Sequence, residues 1–264
     1  MEEEKRKHIS ASQLSTFELC GEAYRRRYIE GTIIPPGIAL IRGSGVHAGA
    51  KVNFTQKKDS HKDLPKKDII DASVAGLEDA TKNGVLLTEN EESIGAKNVL
   101  GKTKDEVATL SGIFADDIAP KYQPAFVEEK QRITLTEDYD LVAIMDLADV
   151  DEIIVDLKTS GKKKNQSEVD SSEQLSIYSL VYKAKTGHLP KQVRLETLVN
   201  KKKPEAQMLK STRQMQDLQI VVNRLNVMLD SIKKGVFVPC NPGSWKCNQM
   251  YCGYYNTCPY VKNK

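Results

Sequence analysis

Apolar positions in this chain change period partway along it. Up to about residue 120 they recur every three or four residues, which is the spacing of one helix face. In residues 8–30, "HISASQLSTFELCGEAYRRRYIE", Leu14, Phe17 and Tyr24 follow that spacing behind Ser10 or Ser12 as N-cap, so one helix is predicted. "GTIIPPG" breaks it, and "IRGSGVHAGAKVNF" reads as a glycine-rich entry into a second helix carrying His47. "KDIIDASVAGLEDATKNG" and "NVLGKTKDEVATLSGIFADDIAP" predict amphipathic helices joined by polar loops. From "AFVEEKQRITLT" onward the pattern alternates loosely, as strands do. "YDLVAIMDLADV" and "DEIIVDLKTS" are two apolar runs around a short acidic turn, which predicts a β-hairpin. A helix capped by Ser171 or Ser172 and closed by Gly187 comes next, then the strand "QVRLETLVN" and the long helix "STRQMQDLQIVVNRLNVMLDSIKKG". The order predicts an α/β core, a mixed central sheet flanked by helices, with a helical insertion.

Composition narrows the classes. The chain has 264 residues and a net charge of +3. No apolar run approaches the ~20 residues a membrane span needs. The opening "MEEEKRKHIS" is charged and has no apolar stretch, so the expectation is a cytoplasmic protein without a membrane partner. The overall charge does not itself indicate nucleic acid. Three basic triplets stand out, at residues 25–27, 162–164 and 201–203. Each reads as a solvated cluster when isolated. If they flank one cleft, Arg25, Arg26, Lys162, Lys163, Lys201 and Lys202 become candidate phosphate contacts. Five cysteines are present, and Cys240, Cys247, Cys252 and Cys258 all lie near the C-terminal end. An odd count argues against a disulfide framework, and clustering argues for metal. Three close thiols plus the remote Cys20 make a four-thiolate set suited to zinc or to an iron–sulfur cluster.

The strand "IIVDLKTS" carries the most chemistry. Asp156 and Lys158 share one face, since strand side chains alternate. With the hairpin turn centred near Asp151, Asp146 lies across from Asp156. Two adjacent carboxylates repel, and burial makes each more costly. A Mg²⁺ or Mn²⁺ ion removes both problems, polarises a phosphoryl oxygen and activates water, while a neighbouring lysine offsets developing charge. An isolated Asp-x-Lys would otherwise be a salt-bridged pair at a strand end. Gln174 and Tyr178, at i and i+4, share a helix face downstream. Glu128 and Glu129 point to opposite strand faces, so at most one of them, with Glu128 the candidate, faces the site.

The order His47, Asp146, Asp156-x-Lys158, Gln174-xxx-Tyr178 resembles the PD-(D/E)XK nucleases of the RecB-like exonuclease branch, with its small CRISPR-associated members and phage recombination nucleases. "ISASQLSTFELC" and "WKCNQMYCGYYNTC" are similar to that branch's N-terminal and C-terminal cysteine segments, although four residues rather than two separate Cys247 from Cys252. The resemblance implies a restriction-endonuclease-like single nuclease domain over 1–264. Within it come an N-terminal helix with the first cluster cysteine over 1–35, a helical insertion or arch over 45–122, the core over 123–235 and a cluster-binding tail over 236–264. It implies His47, Asp146, Asp156, the Leu157 carbonyl and Glu128 as metal ligands, Lys158 as the catalytic lysine, and Gln174 and Tyr178 as positioning groups. Cys20, Cys247, Cys252 and Cys258 would hold a 4Fe–4S cluster, with Cys240 as the substitute for Cys247. The implied activity is a metal-dependent DNA exonuclease of bacterial, archaeal or viral origin, working in recombination, repair or DNA processing beside a strand-annealing or DNA-integration partner. A CRISPR-adaptation-type nuclease trimming captured DNA is the alternative, and a non-catalytic DNA-binding subunit is a third reading.

Overall fold

The computed structural model describes residues 6–261, so the extreme ends of the expected first and last segments, 1–5 and 262–264, lie outside the described residues. The chain opens with strand β1 (Lys7–Ile9) and helix α1 (Ala11–Leu19). Ser10 is the N-cap, its hydroxyl accepting the Gln13 N–H at 3.3 Å. The single helix expected over 8–30 is broken. Cys20 is extended, and α2 (Gly21–Tyr24) and a π-helical turn (Arg25–Ile29) follow it. The cause lies far along the chain. Gly21 packs so tightly on the C-terminal tail that a Cβ would come within 2.6 Å of the Val238 nitrogen. Its N–H donates to the Val238 carbonyl at 2.8 Å.

Four helices come next: α3 (Ile38–Ser60), α4 (Lys66–Thr81), α5 (Glu89–Ile94) and α6 (Ala96–Ile113). The glycines around His47 stand inside α3 rather than in an entry loop before it. A Cβ at Gly49 would come within 2.6 Å of the Ile69 carbonyl, so α3 and α4 meet backbone to backbone where a larger residue could not fit.

The strands that follow are β2 (Pro124–Val127), β3 (Lys130–Thr134), β4 (Tyr139–Ile144), β5 (Leu147–Asp149) and β6 (Ile153–Ser160). Helices α7 (Gln166–Asp170) and α8 (Glu173–Thr186), strands β7 (Gln192–Val199) and β8 (Glu205–Ser211), and helix α9 (Met215–Lys233) complete the core. Among the described residues the strands form two sheets, β1-β4-β3 and β2-β5-β6-β7-β8. Strands β6 and β7 run parallel, and the other neighbours in the five-stranded sheet are antiparallel. Each of two runs expected as one strand is split between the sheets. The first divides at Glu128–Glu129 and the second at Met145–Asp146. Strands β1 and β8 were not anticipated, because one is very short and the other is a polar edge with little alternation.

The five-stranded sheet is buried on both faces. Ile154 and Val193 pack with Leu14, Val181 and Leu225 of α1, α8 and α9. Val155, Leu157 and Leu198 pack with Phe54, Ile69 and Leu110 of α3, α4 and α6. The helical segment expected as an insertion or arch therefore shares its core with the sheet. The architecture is the predicted α/β one, mixed sheets flanked by helices. Among the described residues, no helix is long and apolar enough to cross a membrane.

Candidate active site

The strand split creates the site. Strand β5 pairs with β6 only as far as Leu147 opposite Val155, and β7 continues alongside β6 to Ser160. Beyond Val155 the β5 side of β6 has no ladder partner. The Asp146 carboxylate takes that place, its Oδ2 accepting the Leu157 N–H at 2.8 Å. On the other run, Glu128 sits at φ +43, a left-handed conformation rare outside glycine, and its N–H donates to the Asp146 carbonyl at 3.3 Å. Both runs thus change sheets at the same level. That corner holds Glu128 and Asp146 beside the middle of β6.

Helix α3 supplies the third side. His47 Nδ1 lies 3.5 Å from Asp146 Oδ1, and Lys51, one turn later, pairs with Glu128 at 2.8 Å. His47, Lys51, Glu128 and Asp146 share with the apolar Ala50, Phe54, Phe114, Ile118, Leu147, Val155 and Leu157 the lining of a pocket of about 10 Å³, the size of one water. Glu129 turns away to Lys58 and Lys185. On the α8 face of β6, Lys158 Nζ donates to Asp156 Oδ1 and to Gln174 Oε1, both at 3.0 Å. The Gln174 amide donates to the Tyr178 hydroxyl at 2.6 Å. Asp156 is 2% exposed.

The electrostatics follow from burial. Desolvation pushes the Asp146 carboxyl up to about 6 against the pull of Lys158, and the Asp156 carboxyl up to about 7. Desolvation, reinforced by the nearby Lys158 ammonium, lowers His47 and keeps its imidazole neutral. Tyr178 is held far above its usual range, first by burial and then by the two aspartates. The donor chemistry, a neutral imidazole with hard carboxylate oxygens that lack enough cationic partners, suits a divalent cation. Among the described residues, no three His, Cys, Asp or Glu side chains are placed as a ready-made metal cage.

The structure gathers His47, Glu128, Asp146, Asp156, Leu157, Lys158, Gln174 and Tyr178. The other candidates fare differently. Arg25 and Arg26 are engaged by the buried Glu22, and Arg26 also donates to Thr257, so their charge is spent internally. Lys163 and Lys201 both pair with Glu205. The five cysteines converge where the tail meets the α1–α2 break. The Cys240 N–H donates to Cys20 Sγ at 3.2 Å. Burial raises the Cys247 thiol, as does the proximity of the other four thiols. They do not form the expected four-thiolate cage as placed.

One residue escaped the sequence. Arg213, 4% exposed, donates from Nε to Ser176 Oγ at 2.9 Å and from Nη2 to the Val169 carbonyl at 2.6 Å and the Ser172 carbonyl at 3.2 Å. It fixes the start of α8, and therefore Gln174. An arginine between a strand and a helix N-cap carries no sequence signal for that role.

The chain is similar to two solved structures, of which the first shares its fold. One, from Eubacterium rectale and named "Putative exonuclease", has a TM-score of 0.60 at 15% identity over 98% of this chain and 90% of its own. The other, SSO0001, has a TM-score of 0.44 at 13% identity over 98% and 89%. No curated protein matches the chain. The PD-(D/E)XK nuclease superfamily matches residues 8–259, and with nearly the whole chain covered, this protein belongs to that superfamily.

Proposed function

We propose that this nuclease is a Mg²⁺- or Mn²⁺-dependent DNA exonuclease, hydrolysing phosphodiester bonds at DNA ends. The carrying observation is the cluster on β6: Asp146, 3.5 Å from His47 and accepting the Leu157 N–H, stands beside the buried Asp156 and its lysine, Lys158. His47, Asp146, Asp156, the Leu157 carbonyl and Glu128 would hold the cation. When bound, it supplies charge for the scissile phosphate and a lower pKa for water. Lys158 holds Asp156 and Gln174 on the adjoining face of β6. On leaving Asp156 it donates to a phosphate oxygen or orients the attacking water, while Gln174 keeps its ammonium in place. Gln174 in turn is oriented by the neutral Tyr178. Lys162 and Lys202 have no carboxylate partner among the described residues, which favours them as phosphate contacts over Arg25, Arg26, Lys163 and Lys201.

Exonuclease rather than endonuclease action is favoured by the name of the Eubacterium rectale neighbour. End-labelled single- and double-stranded DNA, digested with and without Mg²⁺ or Mn²⁺, tests it. Stepwise shortening from an end is expected, lost in Asp146→Ala and Lys158→Ala. Undiminished cleavage in both variants sinks the site, and internal nicking of circular DNA sinks the exonuclease assignment. Work in recombination, repair or CRISPR adaptation, beside an annealing or integration partner, follows from the RecB-like resemblance and is tested by co-purification.

The convergence of five cysteines favours a separate reading of the tail. In it Cys20, Cys247, Cys252 and Cys258 hold a 4Fe–4S cluster, with Cys240 in reserve. Protein purified without air should be brown and contain iron and sulfide. A colourless protein with stoichiometric zinc refutes the cluster.

A further inference from the structure

The C-terminal tail turns aromatic residues outward. Trp245 is 64% exposed and Tyr251 53%, their rings edge to face with centroids 5.5 Å apart. Lys246 Nζ lies 5.9 Å from the Trp245 ring and donates to the Tyr251 carbonyl at 3.1 Å, with no carboxylate partner among the described residues. A short segment with little core of its own would gain stability by burying its tryptophan. This one presents it to solvent.

The surface is firmly seated. The Tyr254 hydroxyl donates to the Thr32 carbonyl at 2.6 Å, Gly253 packs against Ile34, and Arg26 donates to the Thr257 carbonyl at 2.7 Å. Its charge is one-sided. From Ser231 to the end of the chain the sequence contains no aspartate or glutamate and five lysines. Among the described residues, the one carboxylate hydrogen-bonded to the tail is Glu89, which accepts from Gln249 at 3.4 Å. Exposed rings with a lysine between them, in a segment free of acidic residues, match the two recognition elements of an unpaired strand: base faces to stack on and phosphates to neutralise. A duplex hides its base faces and cannot use the rings.

We propose that Trp245, Lys246 and Tyr251 form a stacking platform for single-stranded DNA, holding the strand that enters or leaves the nuclease site. This rests on the nuclease reading above. The seat at Thr32–Ile34 lies a few residues before α3, the helix that carries His47.

Trp245 is the protein's single tryptophan, so its fluorescence reports on the platform alone. The full-length protein in EDTA is titrated with a single-stranded thymidine oligonucleotide and with a duplex of equal length. Cleavage of the same oligonucleotides with Mg²⁺ is measured in parallel. Quenching by the single strand is expected, with little by the duplex. Trp245→Ala and Tyr251→Ala, followed by anisotropy of a labelled strand, should each weaken binding about tenfold. Trp245→Phe, which keeps a ring, should bind nearly as the wild type does. Metal-dependent cleavage with no quenching, or unchanged affinity in both alanine variants, overturns the platform and leaves the nuclease standing. Quenching without cleavage does the reverse. Tryptophan changes that follow protein concentration but not DNA would identify a self-association surface and also overturn the platform.

Discussion

Replacing Asp156 by asparagine removes one charge from the candidate site and preserves its shape. In the metal-free protein burial raises this carboxyl from an ordinary 3.8 to about 7. A raised carboxyl costs nothing while protonated in both states. Stability is lost as pH climbs from about 4 to about 7, and the loss is complete above that. At 1.36 kcal/mol per unit, the cost is about 4 kcal/mol at pH 8 and well under half of that at pH 5. The substitution also weakens the contact with Lys158, a half-exposed group, by about 1 kcal/mol at most. Asp156→Asn should therefore stabilise the metal-free protein by about 3 kcal/mol at pH 8, a rise of roughly 6–12 °C in Tm for a chain of this size. The gain should nearly vanish at pH 5. Thermal unfolding in EDTA at both pH values measures this. Added Mg²⁺ should then raise the Tm of the wild type and have little effect on the variant, because a ligand stabilises only the state that binds it. A variant less stable than wild type at pH 8, or a difference independent of pH, would refute the reasoning.

Further tests address the scaffold. Arg213→Met leaves the Val169 and Ser172 carbonyls without their buried donor, costing about 1–3 kcal/mol. It should also lower kcat more than it raises KM, through a loosened Gln174, with partial rescue by Arg213→Lys; an unchanged kcat would leave Arg213 a stability residue only. Gly49→Val drives a side chain into the α4 backbone and should cost about 1–3 kcal/mol, read as a lower Tm, with wild-type stability contradicting the backbone-to-backbone contact. Glu22→Gln tests the pair with Arg25 and Arg26, whose hydrogen bonds, Arg25's first, hold the Glu22 carboxyl below its usual range. The variant should lose about 1.5–3 kcal/mol near neutral pH. A depressed carboxyl contributes stability above its unfolded pKa and loses it as pH falls, so the gap from wild type should close in acid; a gap that persists there contradicts the ion-pair account.

Much of the site was legible because strand geometry is local. The two-residue spacing of Asp156 and Lys158, the hairpin centre near Asp151 and the four-residue spacing of Gln174 and Tyr178 all translate directly into shared faces. The breaks were not legible, because their causes are remote. Cys20 is extended because Val238 lies on Gly21, more than two hundred residues away in sequence. The "AFVEEKQRITLT" run divides because its partner run divides at the same level, and neither half shows this alone. The glycines of "RGSGVHAGA" read as a loop because their use, admitting α4, depends on a helix not yet formed. Arg25 and Arg26 read as DNA contacts because counting charges along a sequence cannot show that Glu22 is buried beneath them.

The corner where both strand runs change sheets gives the site a mechanical property. Glu128 and Asp146 stand at the junction of the two sheets, while Asp156 belongs wholly to the five-stranded one. Any tilt of the β1-β4-β3 sheet relative to its neighbour therefore alters the separation between carboxylates without touching a single donor atom. Substitutions along β3 or β4, free of chemistry themselves, are then expected to change the affinity of the proposed cation site.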